Sequence, residues 1–405
     1  MKLETFKDIL IFIIGLFAYV KIRFLGTFAL SEIIILVFTP LIPIFLYRTN
    51  RDVRRFIHFA CLWLLGVIIS NIWNEISYTE NIKGIFNVAL LILIIPFIYW
   101  ILYDKPQRWL YYFIGYSLSH LYNFYYQQSF DSIFDYETWR VYAYYPLFIF
   151  IASLFYYIGR KKISYLIIGA FGVWSLFNNS RNIFLSQSLA IFILIYISRF
   201  KGHPNSFKQY FKRNQILLLL FFVAGLFSIS QTYENLANNK VLGERAYKKY
   251  IMQKNSERGL ASGRSDFFES LYLVSKNPAI GYGSYAKDKN RTAYNYRKQY
   301  NKHSKYESTD ILPGHSYILG AWVYSGILGF IFFAFVLYLM LKSFISGAAL
   351  YDRRMTGIYI YVTFMFLWDI LFSPFQNRIN LVFYIITIIL LMTLNNERYL
   401  KNEYN

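Results

Sequence analysis

The stretch GIFNVALLILIIPFIYWILY (84–103) decides the fold class, because it contains twenty consecutive residues without a charged side chain. A helix of about 20 predominantly apolar residues spans the hydrocarbon core of a bilayer. Hydrophobic residues make up 56% of the whole chain and charged residues only 16%, whereas a soluble domain carries about a quarter charged residues. The sequence therefore predicts an all-α polytopic membrane protein.

Apolar runs of similar length recur along the chain and predict about twelve transmembrane helices. They divide the chain into an N-terminal transmembrane bundle (1–231), one large extramembrane loop (232–312) and a C-terminal group of helices (313–405). The predicted spans are 5–24, 28–47, 55–73, 84–103, 108–126, 140–158, 162–178, 182–199, 215–231, 314–341, 355–373 and 379–395.

The distribution of lysine and arginine predicts the orientation of these helices. If the N-terminus lies inside, 21 of the 42 basic residues fall in inner segments and 6 in the short outer ones, with the rest in the loop 232–312. Long translocated loops are largely exempt from the positive-inside rule. We therefore expect both termini in the cytoplasm and the loop outside. This bias also accounts for the net charge of +20 without a nucleic-acid partner.

The residues that bind metals or cofactors are sparse in this sequence. The single cysteine, Cys61, lies in an apolar run, so that neither an intramolecular disulfide nor a cysteine-based metal site is possible. The loop contains no acidic metal triad, and the chain has no His-Glu-x-x-His motif and no phosphate-binding Gly-rich Lys-Ser/Thr loop. We therefore expect no metal and no cofactor.

Within the loop, SGRSDFFESLYLVSKNPAIGYGS (262–284) predicts a helix with a defined end. Ser262 is the expected N-cap, and the apolar residues that follow recur at helical spacing. Asn277-Pro278 and then Gly281 end the helix. The pattern is typical of an amphipathic helix, which we expect to lie on the outer membrane surface.

Three cations stand at predicted helix starts on the outer side. Arg181 begins the eighth span, Arg264 lies in the first turn of the loop helix, and His315 lies in the first turn of the tenth span after Pro313. The positive end of the helix dipole disfavours cations there. A phosphate or pyrophosphate ligand reverses that effect, since helix N-termini and arginines both bind phosphate. At such a position His315 is expected to be neutral and able to act as a base.

Each of these residues also has a purely structural interpretation. Arg181 extends to lipid headgroups by snorkelling. Arg264 pairs with Asp266 or Glu269, or binds lipid phosphate. His315 is a hydrogen-bonded helix start.

A family resemblance is carried by GHSYILGAWVYSGILGFIFF (314–333) and by the two segments before it. His315-Ser316 is followed by an apolar stretch and then by Gly326-x-x-Gly329. Arg264 precedes a helix that ends in Pro-x-x-Gly-x-Gly (278–283), and a Ser-Arg pair stands at 180–181. This order of motifs around one large outer loop resembles the O-antigen ligase superfamily, which includes Wzy-type polysaccharide polymerases. The chain departs from the family pattern at 322–325, where many members carry an acidic residue.

The resemblance implies a multi-span, metal-independent glycosyltransferase that takes a glycan from an undecaprenyl pyrophosphate carrier on the outer face of a bacterial plasma (inner) membrane. Arg181 and Arg264 are the expected pyrophosphate ligands, and His315 is the expected base. The alternative division of roles places His315 on the phosphate. Donor and acceptor are then carrier-linked oligosaccharides, and a chain-length regulator is a further expected partner. Additional substrate-binding candidates are Arg245, Arg258, Arg378 and Tyr317.

Three functions remain open from the sequence. His-Ser followed by Gly-Ala-Trp (315–322) favours the polymerase, which joins carrier-linked repeat units into O-antigen, capsule or exopolysaccharide. A ligase that transfers the glycan to lipid A-core is the alternative within the superfamily. A flippase for lipid-linked oligosaccharides is the alternative from another class, although it needs no large outer loop.

Overall fold

The computed structural model describes residues 2–23, 27–41, 51–127, 133–178, 180–199, 204–214, 231–254, 265–300, 312, 314, 316–346, 354–373, 382 and 384–390. Over these residues the chain is almost wholly helical, apart from a two-stranded antiparallel hairpin of β1 (Lys21–Arg23) and β2 (Thr27–Ala29). The helices are α1 (Leu3–Leu16), α2 (Leu30–Phe38), α3 (Arg51–Trp73), α4 (Tyr78–Leu102), α5 (Arg108–Tyr122), α6 (Ile133–Tyr157), α7 (Lys161–Phe177), α8 (Arg181–Ser198), α9 (Pro204–Arg213), α10 (Glu244–Lys254), α11 (Ser265–Lys276), α12 (Thr292–Tyr300), α13 (Tyr317–Ile345) and α14 (Thr356–Phe372).

Within the described residues, four helices are long and apolar enough to cross a membrane: α3, α4, α8 and α13. Each coincides with a predicted span, as does the shorter apolar helix α14. These helices confirm an all-α integral membrane protein. The count of twelve spans stays a prediction, since 215–230 and parts of other predicted spans lie outside the described residues.

The first predicted span, 5–24, is wrong beyond Leu16. α1 has 14 residues, or about 21 Å at about 1.5 Å per residue, which is shorter than the bilayer core. The chain then forms the β1–β2 hairpin. The physical reason is the charge of Lys21 and Arg23, which favours water over lipid, while pairing with β2 satisfies the backbone of this segment.

Helices α1 and α5 pack with unusually close backbones. A Cβ atom at Gly15 would lie 2.3 Å from the backbone oxygen of Tyr112, and one at Gly115 would lie 2.4 Å from that of Phe12. Small residues at such contacts are typical of helix pairs in membranes, where close packing replaces the hydrophobic effect.

A buried arginine joins the beginnings of these two helices. Arg108 is fully buried and donates hydrogen bonds to Glu4 (2.6 Å), Asp8 (2.6 Å) and Asp104 (2.7 Å). Lys7 adds an ion pair with Asp104 at 3.0 Å. A buried cation of this kind is stable only when it is paired and hydrogen-bonded. We call these residues the α1–α5 ion cluster.

The large loop contains more helix than the single one predicted, with a helical segment at 231–238 as well as α10, α11 and α12. The predicted helix is confirmed as α11, which ends before Asn277-Pro278. Its residues Leu273 and Val274 pack in a small cluster with Val323 of α13. Ser262, the predicted N-cap, lies outside the described residues, and the position of α11 on the membrane surface stays a prediction.

Candidate active site

Helix α13 is interrupted at Ser325 and Gly326. Ser325 has φ −133° and ψ 15°, and Gly326 has φ 64° and ψ −156°. The second conformation is open essentially to glycine alone. Such an interruption takes backbone groups out of the helical hydrogen-bond pattern, and within a membrane protein those groups need other partners.

The segment that follows α11 supplies these partners. The backbone N–H of Tyr282 donates to Val323 O (2.7 Å) and that of Gly283 to Tyr324 O (3.1 Å). In return, Ile327 N–H donates to Ala279 O (3.1 Å). The Pro-x-x-Gly-x-Gly and Gly-x-x-Gly motifs are therefore two halves of one structural unit, which we call the loop–helix joint (residues 278–283 and 323–329).

The glycines of the joint allow its two backbones to meet. A Cβ atom at Gly281 would lie 2.6 Å from the backbone nitrogen of Gly326, and one at Gly326 would lie 2.1 Å from the oxygen of Ala279. Real Cβ atoms do not approach backbone atoms so closely. The family motif thus has a packing explanation that does not require these glycines to contact a substrate.

Side chains of α13, of α3 and of the residue that follows α3 hold the joint in place. Trp322 Nε1 of α13 donates to Pro278 O of the joint (2.7 Å). Trp63 Nε1 of α3 donates to Ser325 Oγ (3.0 Å), and Asn74 Nδ2, directly after α3, donates to Gly281 O (3.1 Å). The joint is therefore tied to the transmembrane helices as well as to the large loop.

The start of α13 is fixed by Ser316, its N-cap. Ser316 Oγ accepts a hydrogen bond from Leu319 N–H (3.1 Å) and donates one to Ile370 O of α14 (2.9 Å). The prediction that His315 lies in the first turn is corrected, since the helix begins at Tyr317 and His315 precedes the N-cap in sequence. Serine is a strong N-cap residue, and this preference sets the helix start later than Pro313 suggested. His315 itself lies outside the described residues.

Arg181 is the first residue of α8, as predicted. Its guanidinium carbon lies 4.4 Å from the centre of the Tyr233 ring, at the beginning of the large loop. Arg181 thereby links the start of α8 to the loop. The preceding residue, Ser180, is the N-cap of α8, but its side chain makes no capping hydrogen bond.

Arg140, near the beginning of α6, is a cation that motif analysis missed. Its Nη2 donates to Asn178 Oδ1 (3.0 Å) at the end of α7, and its guanidinium lies 5.4 Å from the Trp174 ring centre. Among the described side chains, no carboxylate forms an ion pair with Arg140. In the sequence, the signal was an arginine at the edge of an apolar run, which was counted only as an outer charge.

The other predicted site residues fall into two groups. Tyr317 is described and buried, with its ring stacked on Phe333 at 5.9 Å between centres. Arg258, Arg264 and Arg378 lie outside the described part of the chain. Arg245 belongs to α10, but its side chain is not described. The roles assigned to them stay predictions. Among the described residues, no group of three or more His, Cys, Asp or Glu side chains could hold a metal ion.

These features define an integral membrane protein in which a segment of the large loop closes a break in a transmembrane helix. A family model described as O-antigen ligase matches residues 140–334, a range that includes Arg181, α11 and the loop–helix joint. Over this range the chain is similar to the O-antigen ligase superfamily, and this similarity supports a glycan-processing function in the membrane. No curated protein sequence matches the chain.

Proposed function

We propose that this protein is a membrane glycosyltransferase that polymerises undecaprenyl-pyrophosphate-linked oligosaccharide units on the outer face of the bacterial plasma membrane. The observation that supports the proposal most directly is the loop–helix joint. It ties the large loop to the helix that follows His315, within the segment that matches the family. A flippase has no evident need for this connection.

In the proposed reaction, an acceptor hydroxyl attacks the anomeric carbon of the carrier-linked sugar. His315 accepts the proton of that hydroxyl as general base, or orients it. The bond between the anomeric carbon and the phosphate oxygen breaks, and the lipid pyrophosphate leaves with the bonding electrons. Arg181 and Arg264 stabilise the charge that develops on this leaving group. A single displacement inverts the anomeric centre and uses neither metal nor cofactor.

The ligase is the second candidate, and the matching family model supports it equally. In this case the same donor and the same three residues serve a different acceptor, lipid A-core. The membrane orientation is common to both candidates: both termini lie in the cytoplasm and the reaction takes place outside.

The test is reconstitution of the purified protein in liposomes with its carrier-linked repeat unit, followed by a glycan gel. Wild type and His315→Ala are compared with His58→Ala, which removes an exposed histidine of α3. We expect a ladder of products from wild type and from His58→Ala. We expect the loss of one general base to lower the rate by about 100-fold or more in His315→Ala.

Three other outcomes contradict the polymerase reaction or the role given to His315 in it. If only added lipid A-core receives the glycan, the protein is a ligase. If His315→Ala is as active as wild type, transfer does not depend on that histidine. If no glycan is transferred but the lipid moves between leaflets, the protein is a transporter.

A further inference from the structure

Three polar atoms are buried and have no hydrogen-bond partner among the described residues: Ser180 Oγ, Arg140 Nε and Tyr233 Oη. Ser180 precedes α8 directly, Arg140 contacts Asn178, and Tyr233 contacts Arg181 at the helix start. Ser180 and Tyr233 are only 2% and 6% exposed. Buried polar atoms are nearly always hydrogen-bonded, because leaving one unsatisfied destabilises the protein. The grouping of such atoms around one helix start therefore calls for a ligand.

The chemistry of these atoms indicates what the ligand is. The guanidinium Nε–H is a donor only, and each of the two hydroxyls can donate. The first backbone N–H groups of α8 also lack helical partners, and the Ser180 side chain does not cap them. Donors at the positive end of a helix dipole favour an anion. An oxyanion has enough lone pairs to accept from an arginine, a serine and the backbone.

The position of Arg140 is set by its neighbours. Its Nη2 is held by Asn178 Oδ1 at 3.0 Å, and Asn178 Nδ2 in turn donates to Trp174 O at 2.8 Å. The rings of Trp174 and Tyr136 flank the guanidinium at 5.4 and 6.0 Å. With its plane fixed in this way, Arg140 presents Nε–H without needing to reorder, which lowers the entropic penalty of binding.

Arg181 lies close to Asn178 in the chain, where α7 is followed by α8. The two residues are three positions apart, so their Cα atoms are separated by at most about 11 Å. A ligand held by Arg140 through one phosphate is therefore within reach of the start of α8, where Arg181 stands. A diphosphate has two phosphate groups, one for Arg140 and one for the start of α8.

We propose that Arg140 and Ser180 form, with the N-terminus of α8, a phosphate-binding site that holds the diphosphate of the lipid-linked glycan donor. The proposal rests on the proposed function for the identity of the donor. It adds Arg140 and Ser180 to the residues that bind the substrate, as positioning groups that fix the leaving phosphate. The phosphate of a bulk phospholipid has the same chemistry, and the experiment separates the two sources.

The test measures binding of geranylgeranyl diphosphate to the purified full-length protein in detergent by isothermal titration calorimetry. Geranylgeraniol, which lacks the phosphates, serves as one comparison and short-chain phosphatidylglycerol as the other. The variants are Arg140→Gln, Arg140→Lys and Ser180→Ala. The control is Lys161→Ala. Lys161 begins α7, whereas Arg140 contacts the other end of that helix. The substitution removes a cation that lies 5.2 Å from the centre of the Tyr156 ring.

We expect Arg140→Gln to weaken diphosphate binding at least tenfold and Arg140→Lys to weaken it less. Ser180→Ala, which removes a single oxygen and is expected to keep the fold, should weaken binding two- to fivefold. Geranylgeraniol binding and the Lys161→Ala protein should match wild type. The site would be overturned if both Ser180→Ala and a folded Arg140→Gln protein bound the diphosphate with wild-type affinity. Equal affinity for phosphatidylglycerol would assign the site to bulk lipid and overturn the donor.

Glycan transfer by the same variants separates this proposal from the proposed function. If wild type forms no glycan product yet binds the diphosphate through Arg140, the function is wrong and the site stands. If wild type forms product and Arg140→Gln forms it with unchanged rate and KM, the function stands and the site is wrong.

Discussion

Gly326 is the residue on which the loop–helix joint depends most. Gly326→Ala places a side chain in a backbone region that is essentially restricted to glycine, a strain of about 1–3 kcal/mol. The new Cβ would also lie 2.1 Å from Ala279 O, so that the loop has to move away. We expect the free energy of unfolding to fall by about 3 kcal/mol or more. Thermal or denaturant unfolding in detergent measures the change.

Gly159 offers a matched control at the turn between α6 and α7. It too has a positive φ, of 85°, but a Cβ atom there would meet no other atom within 4 Å. Gly159→Ala should therefore show the backbone strain alone, about 1 kcal/mol. Equal destabilisation by the two substitutions would show that the close approach of loop and helix does not stabilise the fold.

At the residue scale, the sequence predicted what local patterns encode. The start of α8 at Arg181 followed from the onset of an apolar run. Arg140 did not, since its significance depends on contacts with Asn178 and Trp174, which lie more than 30 residues away in the chain. The same limit applies to Gly326, whose motif was visible in the sequence while its partner, Ala279, was not.

At the scale of the elements, Asp104 lies in the link between α4 and α5, and its carboxyl should make the free energy of unfolding depend on pH. Burial alone would raise the pKa of the Asp104 carboxyl, but the hydrogen bond from Lys7 and the charges of Lys7 and Arg108 outweigh burial and hold the pKa below its ordinary value of 3.8. A carboxyl whose pKa is lowered by folding stabilises the protein above its unfolded pKa. That stabilisation is lost as the pH falls through the pKa of the folded state.

The measurement is the unfolding midpoint of wild type and Asp104→Asn between about pH 6 and pH 3, around the ordinary pKa of an aspartate. We expect the variant to be less stable than wild type at pH 6, and the difference to shrink below about pH 4. Glu80→Gln is the control, because Glu80 forms only a surface pair with Lys83 at 3.2 Å, and such pairs stabilise little. A difference that stays constant with pH would contradict the assigned role of the Asp104 charge.

The elements themselves show where hydropathy succeeds and where it stops. The spans at α3, α4, α8 and α13 were predicted because each contains a long apolar stretch of sequence with few charged residues. α1 was predicted too long, since hydropathy registers the apolar residues 17–20 that follow the helix but not the strand pairing of the charged segment after them. The extra helices of the loop were missed for the opposite reason, because their sequences are polar and their contacts are tertiary.

At the scale of the whole molecule, the large loop is connected to the membrane helices at two places, the start of α8 and the loop–helix joint. The loop begins beside Arg181, whose guanidinium lies over Tyr233, and returns to the membrane helices through the joint with α13. Both connections belong to the segment that matches the O-antigen ligase family. The proposed reaction therefore requires that this loop and the start of α8 face the side of the membrane on which the glycan is assembled.

That requirement predicts which positions are accessible from outside the cell. Cys61 is the only cysteine of the chain, so Cys61→Ser gives a background to which single cysteines can be added. Asn239→Cys probes an exposed position of the loop, and Lys212→Cys probes an exposed position of α9. We expect a membrane-impermeant maleimide to label Asn239→Cys in intact spheroplasts and to label Lys212→Cys only after permeabilisation.

The basis of this expectation is electrostatic. Segments rich in lysine and arginine are retained on the cytoplasmic side, and α9 has basic residues in its last turn, Lys212 and Arg213. The loop carries 15 basic residues, but its length exempts it from that rule. Labelling of Lys212→Cys in intact spheroplasts, with Asn239→Cys protected, would reverse the orientation. The loop would then face the cytoplasm, and a transferase that works on the outer face would be excluded.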